Sequence, residues 1–189
     1  INMITLDIII ASTRPGRVGL PVGQWMYDIA NTDSRFETRW TDLAEVNLPF
    51  YDEAKHPRFQ DYDHPHTKDW AARIDSADAF VIVTPEYNFG MPATLLNAFT
   101  FVSVEWRYKP VGFVSYGGVS GGTRAVQMAK QIVTSLGAMP IPQAVNIPFV
   151  SKLIEGSDND RYFNAPDVQR DAAVVMLNEL EKWATALKP

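Results

Sequence analysis

Three short stretches of this 189-residue chain carry the side chains that could do chemistry. The first is Ser12-Thr13-Arg14-Pro15-Gly16-Arg17-Val18-Gly19, with two hydroxyls, two guanidiniums and two glycines between an apolar run and a helical pattern. A helix start offers unpaired N–H groups and the positive end of a dipole, so a phosphate is the group such a turn suits. Arg14 or Arg17 could add bidentate contacts. Neither G-x-x-x-x-G-K-[ST] nor G-x-G-x-x-G is present, which favours a mononucleotide over a nucleoside triphosphate or a dinucleotide. The second stretch is Pro85-Glu86-Tyr87-Asn88, which ends the β-branched run Phe80-Val81-Ile82-Val83-Thr84. Pro85 withholds a ladder donor, and the residues after it sit where backbone amides and a ring-sized surface could face a ligand. The third runs from Ser115 to Gly122, and its clustered glycines let backbone approach a flat ligand closely. Taken singly, the first turn also reads as a solvated surface loop and the second as a plain strand end.

Two other chemistries can be weighed from spacing. Gly118-Val119-Ser120-Gly121-Gly122 matches G-x-S-x-G, the nucleophile elbow of α/β-hydrolases. That fold needs an acid and then a histidine after the serine, whereas His56, His64 and His66 all lie upstream. Asp61, Asp63, His64 and His66 lie in a proline-bearing loop with no register to converge them on a metal.

The elements that must position the three turns alternate. Leu6 to Ala11 reads as a buried strand, and Val22, Trp25, Met26 and Ile29 as one face of a helix. Phe36 to Leu43 reads as a second strand at or near an edge. Ala44 to His66 has no period and carries Pro49, Pro57 and Pro65, which marks a long functional loop. Thr67 is read as the cap of a helix to Ser76, followed by a strand from Ala79 to Thr84. A helix from Pro92 to Trp106, a strand from Pro110 to Tyr116, a helix from Thr123 to Leu136 and a strand from Met139 to Val145 follow. The last helix spans Asp167 to Leu187, with Ala172, Met176, Leu180, Trp183 and Leu187 on one face. Alternating strands and helices give an α/β fold with a parallel, doubly wound sheet. Five strands suit the flavodoxin-like three-layer sandwich of order 2-1-3-4-5, whose ligand crevice lies beside strands one and three. One domain is expected over residues 1–189.

Composition narrows the partners. A formal net charge of -5 lacks the basic footprint of a nucleic-acid binder. No apolar run approaches the roughly 18 residues of a membrane span. The first residues lack a signal-peptide pattern, and zero cysteines remove disulfides and thiolate chemistry, so a cytoplasmic setting is the expectation. The helix starting at Pro92 is apolar nearly all round: Leu95, Ala98, Phe99, Val102 and Trp106 make one face, and Phe101 and Val104 project opposite. Such a helix is covered on both sides, which predicts a homodimer or a dimer of dimers, with cover by the C-terminal segment as the alternative.

The three turns, in this order, resemble the NAD(P)H-dependent FMN reductase family, which has a flavodoxin-like fold and includes quinone, azo-dye and chromate reductases. The family pattern is met by Ala11-Ser12-Thr13-Arg14, by Pro85-Glu86-Tyr87-Asn88 with Pro92 and Leu96-Asn97-Ala98, and by Ser115-Tyr116-Gly117 with Gly121-Gly122-Thr123-Arg124-Ala125. Leu48-Pro49-Phe50-Tyr51-Asp52-Glu53 is similar to a loop the family carries after its second strand. Ala11 replaces a usual glycine, and Leu95-Leu96-Asn97 a usual lysine-bearing sequence. The resemblance implies that Ser12, Arg14, Arg17, Val18 and Gly19 hold the FMN phosphate. It implies that Pro85, Glu86, Tyr87 and Asn88 line the isoalloxazine, and that Ser115, Gly117 and Gly118 complete the pocket. It implies FMN as cofactor, NADPH or NADH as electron donor, and a small-molecule electron acceptor such as a quinone, azo compound, free flavin or metal oxyanion. A flavodoxin-like electron carrier, or a protein that releases FMN as substrate, fits the same motifs. No catalytic side chain is assigned. Arg107 or Lys109 is the candidate for meeting a 2′-phosphate.

Overall fold

A computed structural model describes residues 3–157 and 160–188. Its main sheet has five parallel strands in the order β2-β1-β3-β4-β5. They are β1 (Ile4–Ile10), β2 (Phe36–Asp42), β3 (Ala79–Pro85), β4 (Pro110–Tyr116) and β5 (Met139–Ile147). The order is the flavodoxin-like one, and β2 is an edge strand with a half-exposed centre. All seven residues of β3 and of β4 are buried, as strands covered on both faces require.

Side-chain alternation divides the core into two layers. Leu6, Ile8, Ile10, Val81, Val83 and Val114 face α1 (Gly19–Asn31) and α6 (Asp167–Leu187). Ile9, Phe80, Ile82 and Phe113 face α3 (Pro65–Asp75), α4 (Ala93–Phe101) and α5 (Thr123–Ser135). The buried stripe of α6 is Ala173, Met176, Leu177, Leu180 and Ala184, one position round from part of the expected face. Asp7 interrupts the apolar run of β1. Its buried carboxylate is satisfied by Thr41 Oγ1 at 2.6 Å and Arg73 Nε at 2.7 Å.

Two expectations are corrected. Thr67 does not cap α3. The helix begins at Pro65 as its first residue, and the Glu53 carboxylate takes the N–H groups of Asp63 (2.9 Å) and His64 (3.0 Å) just before it. The helix read from Pro92 to Trp106 ends at Phe101, because Val102 is extended (φ -136, ψ 152). A 3₁₀ turn at Val104–Trp106 follows. The break lets Trp106 enter the core against Phe80 and Phe99, with ring centroids at 4.7 and 5.4 Å.

The long segment after β2 accounts for the apolar second side of α4. It holds a short helix, α2 (Leu43–Val46), and then lies over α4. The Asn97 amide donates to Pro49 O at 2.7 Å and accepts from Tyr51 N at 3.2 Å. The Tyr51 ring meets Phe101 edge-on at 5.2 Å. Phe101 and Val102 are therefore buried within the chain, while Leu96 and Phe50 stay exposed. No described helix is long and apolar enough to cross a membrane.

Candidate cofactor site

The three turns leave the carboxyl ends of β1, β3 and β4, so the sheet brings all of them to one edge. In such sheets ligands lie in the crevice outside that edge, where strand order reverses.

The first turn is held from beneath and open above. Among the described residues, the backbone N–H groups of Thr13, Arg14, Gly16 and Val18 have no protein acceptor. Helix α1 starts without a side-chain cap or an acidic residue in its first turn. Donors without acceptors, at a helix N-terminus, make an anion site. Arg14 is exposed at this turn. Arg17 points inward: its guanidinium pairs with both oxygens of Asp42 (2.6 and 2.5 Å) and donates to the Ser12 carbonyl. Asp42 also caps α2 through Ala44 N at 3.0 Å. Arg17 is thus a strut of the turn, with its charge already met. Two more struts come from elsewhere. The Thr94 hydroxyl donates to Ala11 O at 2.6 Å, and Arg161 donates to Gly16 O at 3.2 Å. Arg161 precedes the second strand of a small hairpin, β6 (Ile154–Glu155) and β7 (Tyr162–Phe163).

The second turn is a tight hairpin. Tyr87 and Gly90 exchange both backbone hydrogen bonds at 2.9 Å, around Asn88 (φ 49) and Phe89 (φ 68). Positive φ at both central residues is the type I′ turn. It costs a phenylalanine about 1–2 kcal/mol, and the Arg124 guanidinium, 3.8 Å from the Phe89 ring centroid, opposes that cost. Tyr87, Asn88 and Phe89 face outward. Glu86 does not. Its carboxylate accepts from Ser120 Oγ (2.9 Å), Arg124 N (3.1 Å) and Arg124 Nε (2.5 Å). Burial pushes the Glu86 carboxyl up, and the bonds from Ser120 and Arg124 outweigh it and hold it below the ordinary range. Glu86 therefore ties the second turn to the third and caps α5, whose N-terminal Gly122 offers no side chain.

In the third turn the buried Ser115 hydroxyl donates to Gly121 O at 2.8 Å, shaping the loop from within. Phe149 N and Val150 N donate to the carbonyls of Gly118 (2.9 Å) and Gly117 (3.2 Å). Gly122 has φ 83, and a Cβ there would lie 2.7 Å from Tyr116 N. A Cβ on Gly118 would meet nothing within 4 Å, so the protein itself does not require glycine there. Ser120, the would-be hydrolase nucleophile, donates to a carboxylate and not to a histidine.

Of the sequence-predicted residues, Arg14, Val18, Tyr87, Asn88, Gly117 and Gly118 are at least partly exposed on the edge, and Pro85 ends β3 behind it. Ser12 and Gly19 lie buried under the first turn, and Arg17, Glu86 and Ser115 hold the turns together. Lys109 is at the opposite end of β4, where its ammonium caps α3 through Ile74 O (2.8 Å) and Asp75 O (2.7 Å). Arg107 precedes the same strand end, so neither meets a ligand at the carboxyl edge. Sequence reasoning missed Asp42, Thr94 and Arg161 as supports. Only Asp42 carried a local signal, a carboxylate at a strand end before a helix. A cavity of about 600 Å³ lies away from the edge, between the 51–57 segment and the far ends of α4 and α5. The carboxyl edge is an open rim built by three turns, and the chemistry-bearing groups converge there.

Residues 4–152 match the NADPH-dependent FMN reductase family. An NAD(P)H-dependent FMN reductase of Schizosaccharomyces pombe is 34% identical over 153 residues, 79% of this chain and 76% of the relative. A quinone reductase of Escherichia coli is 42% identical over 74 residues, 36% of this chain and 39% of the relative. Among solved structures, the flavoenzyme NAD(P)H:(acceptor) oxidoreductase FerB of Paracoccus denitrificans superposes with a TM-score of 0.73 at 20% identity, covering 97% of this chain and 98% of the other. Matched from its first strand to the turn beyond its fifth, the chain belongs to the NADPH-dependent FMN reductase family.

Proposed function

We propose that this enzyme binds FMN across the three turns, oxidises NADH or NADPH, and reduces a small two-electron acceptor: a quinone, an azo compound, free flavin or a metal oxyanion. The observation that carries the reading is the donor-only first turn, set at the same sheet edge as an exposed hairpin and a glycine loop. Bound FMN would supply the hydride chemistry, accepting at its N5 from the nicotinamide C4 and returning two electrons to the acceptor. The chain's own residues bind and orient. Arg14 and the N–H groups around Val18 and Gly19 meet the phosphate, and Arg17 fixes that turn through Asp42. Pro85 to Asn88 line the ring edge, mainly through backbone, and Gly117 and Gly118 leave room for it. Backbone donors on the ring's pyrimidine side would favour negative charge there. We extend the proposal to cytoplasmic action and to a homodimer, or a dimer of dimers, formed through the exposed Leu96 and Phe50. Sedimentation velocity of wild type against Leu96→Lys checks the assembly.

The test is direct. The purified protein is examined for flavin absorbance and titrated with FMN, and oxidation of NADH and NADPH is followed anaerobically with a quinone. Absence of flavin binding at micromolar FMN refutes the reading. Flavin binding with a stable one-electron-reduced state and no NAD(P)H oxidation supports the electron-carrier alternative.

A further inference from the structure

Beneath the first turn two hydroxyls meet. Ser12 follows β1, Tyr116 ends β4, and both point under the first residue of α1. A Cβ placed on Gly19 would lie 2.6 Å from the Tyr116 hydroxyl oxygen and closer still to Ser12 Oγ. Ser12 is 0% exposed and Tyr116 4%. Among the described residues neither hydroxyl completes a hydrogen bond of good geometry. They do lie near enough for Ser12 to draw the Tyr116 phenol down, against the burial that raises it well above its ordinary value. Tyr116 therefore keeps its proton and has an O–H to offer.

A buried hydroxyl without a partner costs about 1–3 kcal/mol, and a phenylalanine at 116 would fill the same space without that cost. Native proteins keep such groups where a ligand or water completes them. The turn above the two hydroxyls offers unpaired donors and the positive end of a helix. Helix α1 has no side-chain cap and no acidic first turn, and among the described residues the backbone N–H groups of Thr13, Arg14, Gly16 and Val18 have no protein acceptor. A cluster of donors lacking an acceptor is completed by an anion.

We propose that Tyr116 is a positioning residue for the phosphate end of the flavin. Its hydroxyl props Ser12 and the α1 N-terminus into the anion-binding arrangement, so the protein selects phosphorylated flavin over the unphosphorylated form. The inference rests on the FMN reading above.

The test compares equilibrium binding of FMN and riboflavin, followed by flavin fluorescence, for wild type, Tyr116→Phe and Ser12→Ala, with the melting temperature of each apoprotein. The expected result is a wild-type preference for FMN. Tyr116→Phe should lose about tenfold of that preference, with riboflavin affinity and melting temperature unchanged, and Ser12→Ala should lose preference in the same direction. A Tyr116→Phe protein that keeps the wild-type preference overturns the inference and leaves the FMN reading standing. An equal loss for both flavins also overturns it, since that is a packing effect. A wild type that binds neither flavin overturns the FMN reading itself, and this inference with it.

Discussion

Replacing Glu86 by glutamine tests whether the site is held together by a buried carboxylate. Glutamine keeps the shape and one acceptor oxygen but removes the charge. The carboxylate now receives three hydrogen bonds, from Ser120 Oγ, Arg124 N and Arg124 Nε. Hydrogen bonds to a charged group contribute about 1.5–3 kcal/mol each, and those to a neutral group about 0.5–1.5. The Arg124 side chain is 45% exposed, so its ion pair is discounted to about 0–1 kcal/mol. Negative charge at the α5 N-terminus adds about 0.3–1 kcal/mol. With partial retention of the bonds, Glu86→Gln loses about 1–3 kcal/mol. For a chain of this size that lowers the melting temperature by roughly 2–12 °C.

The pH dependence gives a second reading of the same substitution. The Glu86 carboxyl is held below its ordinary value of 4.5 in the folded state. Its contribution is therefore complete above about pH 4.5 and is lost as pH falls through the lower folded value. Wild type and Glu86→Gln should differ most at neutral pH and converge in acid. The assay is thermal unfolding from pH 7 to pH 3, with FMN affinity measured at pH 7. Because Glu86 links the hairpin to the glycine loop, FMN should bind several-fold more weakly. Equal melting temperatures at pH 7 together with unchanged FMN affinity would refute the reasoning.

Three further substitutions separate contact from support. Arg14→Ala should weaken FMN binding roughly tenfold or more, the value of a charge-assisted phosphate contact, with no change in melting temperature because the side chain is exposed. Asp42→Ala strands the Arg17 guanidinium, whose side chain is 11% exposed. It should cost about 3–5 kcal/mol, read as a melting temperature lower by on the order of 10 °C. Glu53→Gln should loosen the segment over α4 by about 1–3 kcal/mol, since the carboxylate takes two backbone N–H groups. Limited proteolysis between residues 48 and 63 reads the loosening. Burial raises the Glu53 carboxyl, but the N–H bonds from Asp63 and His64, with the Thr67 hydroxyl nearby, bring it to about 2. The segment should therefore open in wild type as pH falls from about 4.5 towards about 2 and stay closed above that range.

The parts of the fold legible in the sequence are those whose burial is nearly complete. Val81 to Thr84 and Val111 to Ser115 are covered on both faces, so composition alone marks them as strands. The long α6 shows its 3.6-residue period over the whole of Asp167–Leu187. The end of helix α4 is not legible in the sequence because its apolar pattern continues past Phe101. Only the pull of Trp106 into the Phe80 and Phe99 cluster breaks it, and that pull is a tertiary contact. From sequence, the apolar second side of α4 points to a second subunit. The cover found comes from a proline-bearing segment with no period of its own, through Asn97, Tyr51 and Phe101.

At the site the limit is of a different kind. The motifs mark where the turns are, because strand ends and glycines are local features, but they do not tell a residue that touches the ligand from one that holds the turn. Arg14 and Arg17 are three positions apart and look alike in the sequence. What separates them is Asp42, 25 residues further on, which takes Arg17 out of reach of a ligand. Glu86 and Ser115 sit in motifs that read as ligand contacts, yet Glu86 spends its charge on Arg124, 38 residues away, and Ser115 its hydroxyl on Gly121. An open rim needs such ties, since three separate turns have no shared ladder to fix their spacing. A motif residue at this edge can therefore serve the cofactor without meeting it. The comparison of FMN with riboflavin distinguishes the two roles: a residue that meets the phosphate or props the anion site changes the ratio of the two affinities, and one that holds the ring side of the rim changes both alike.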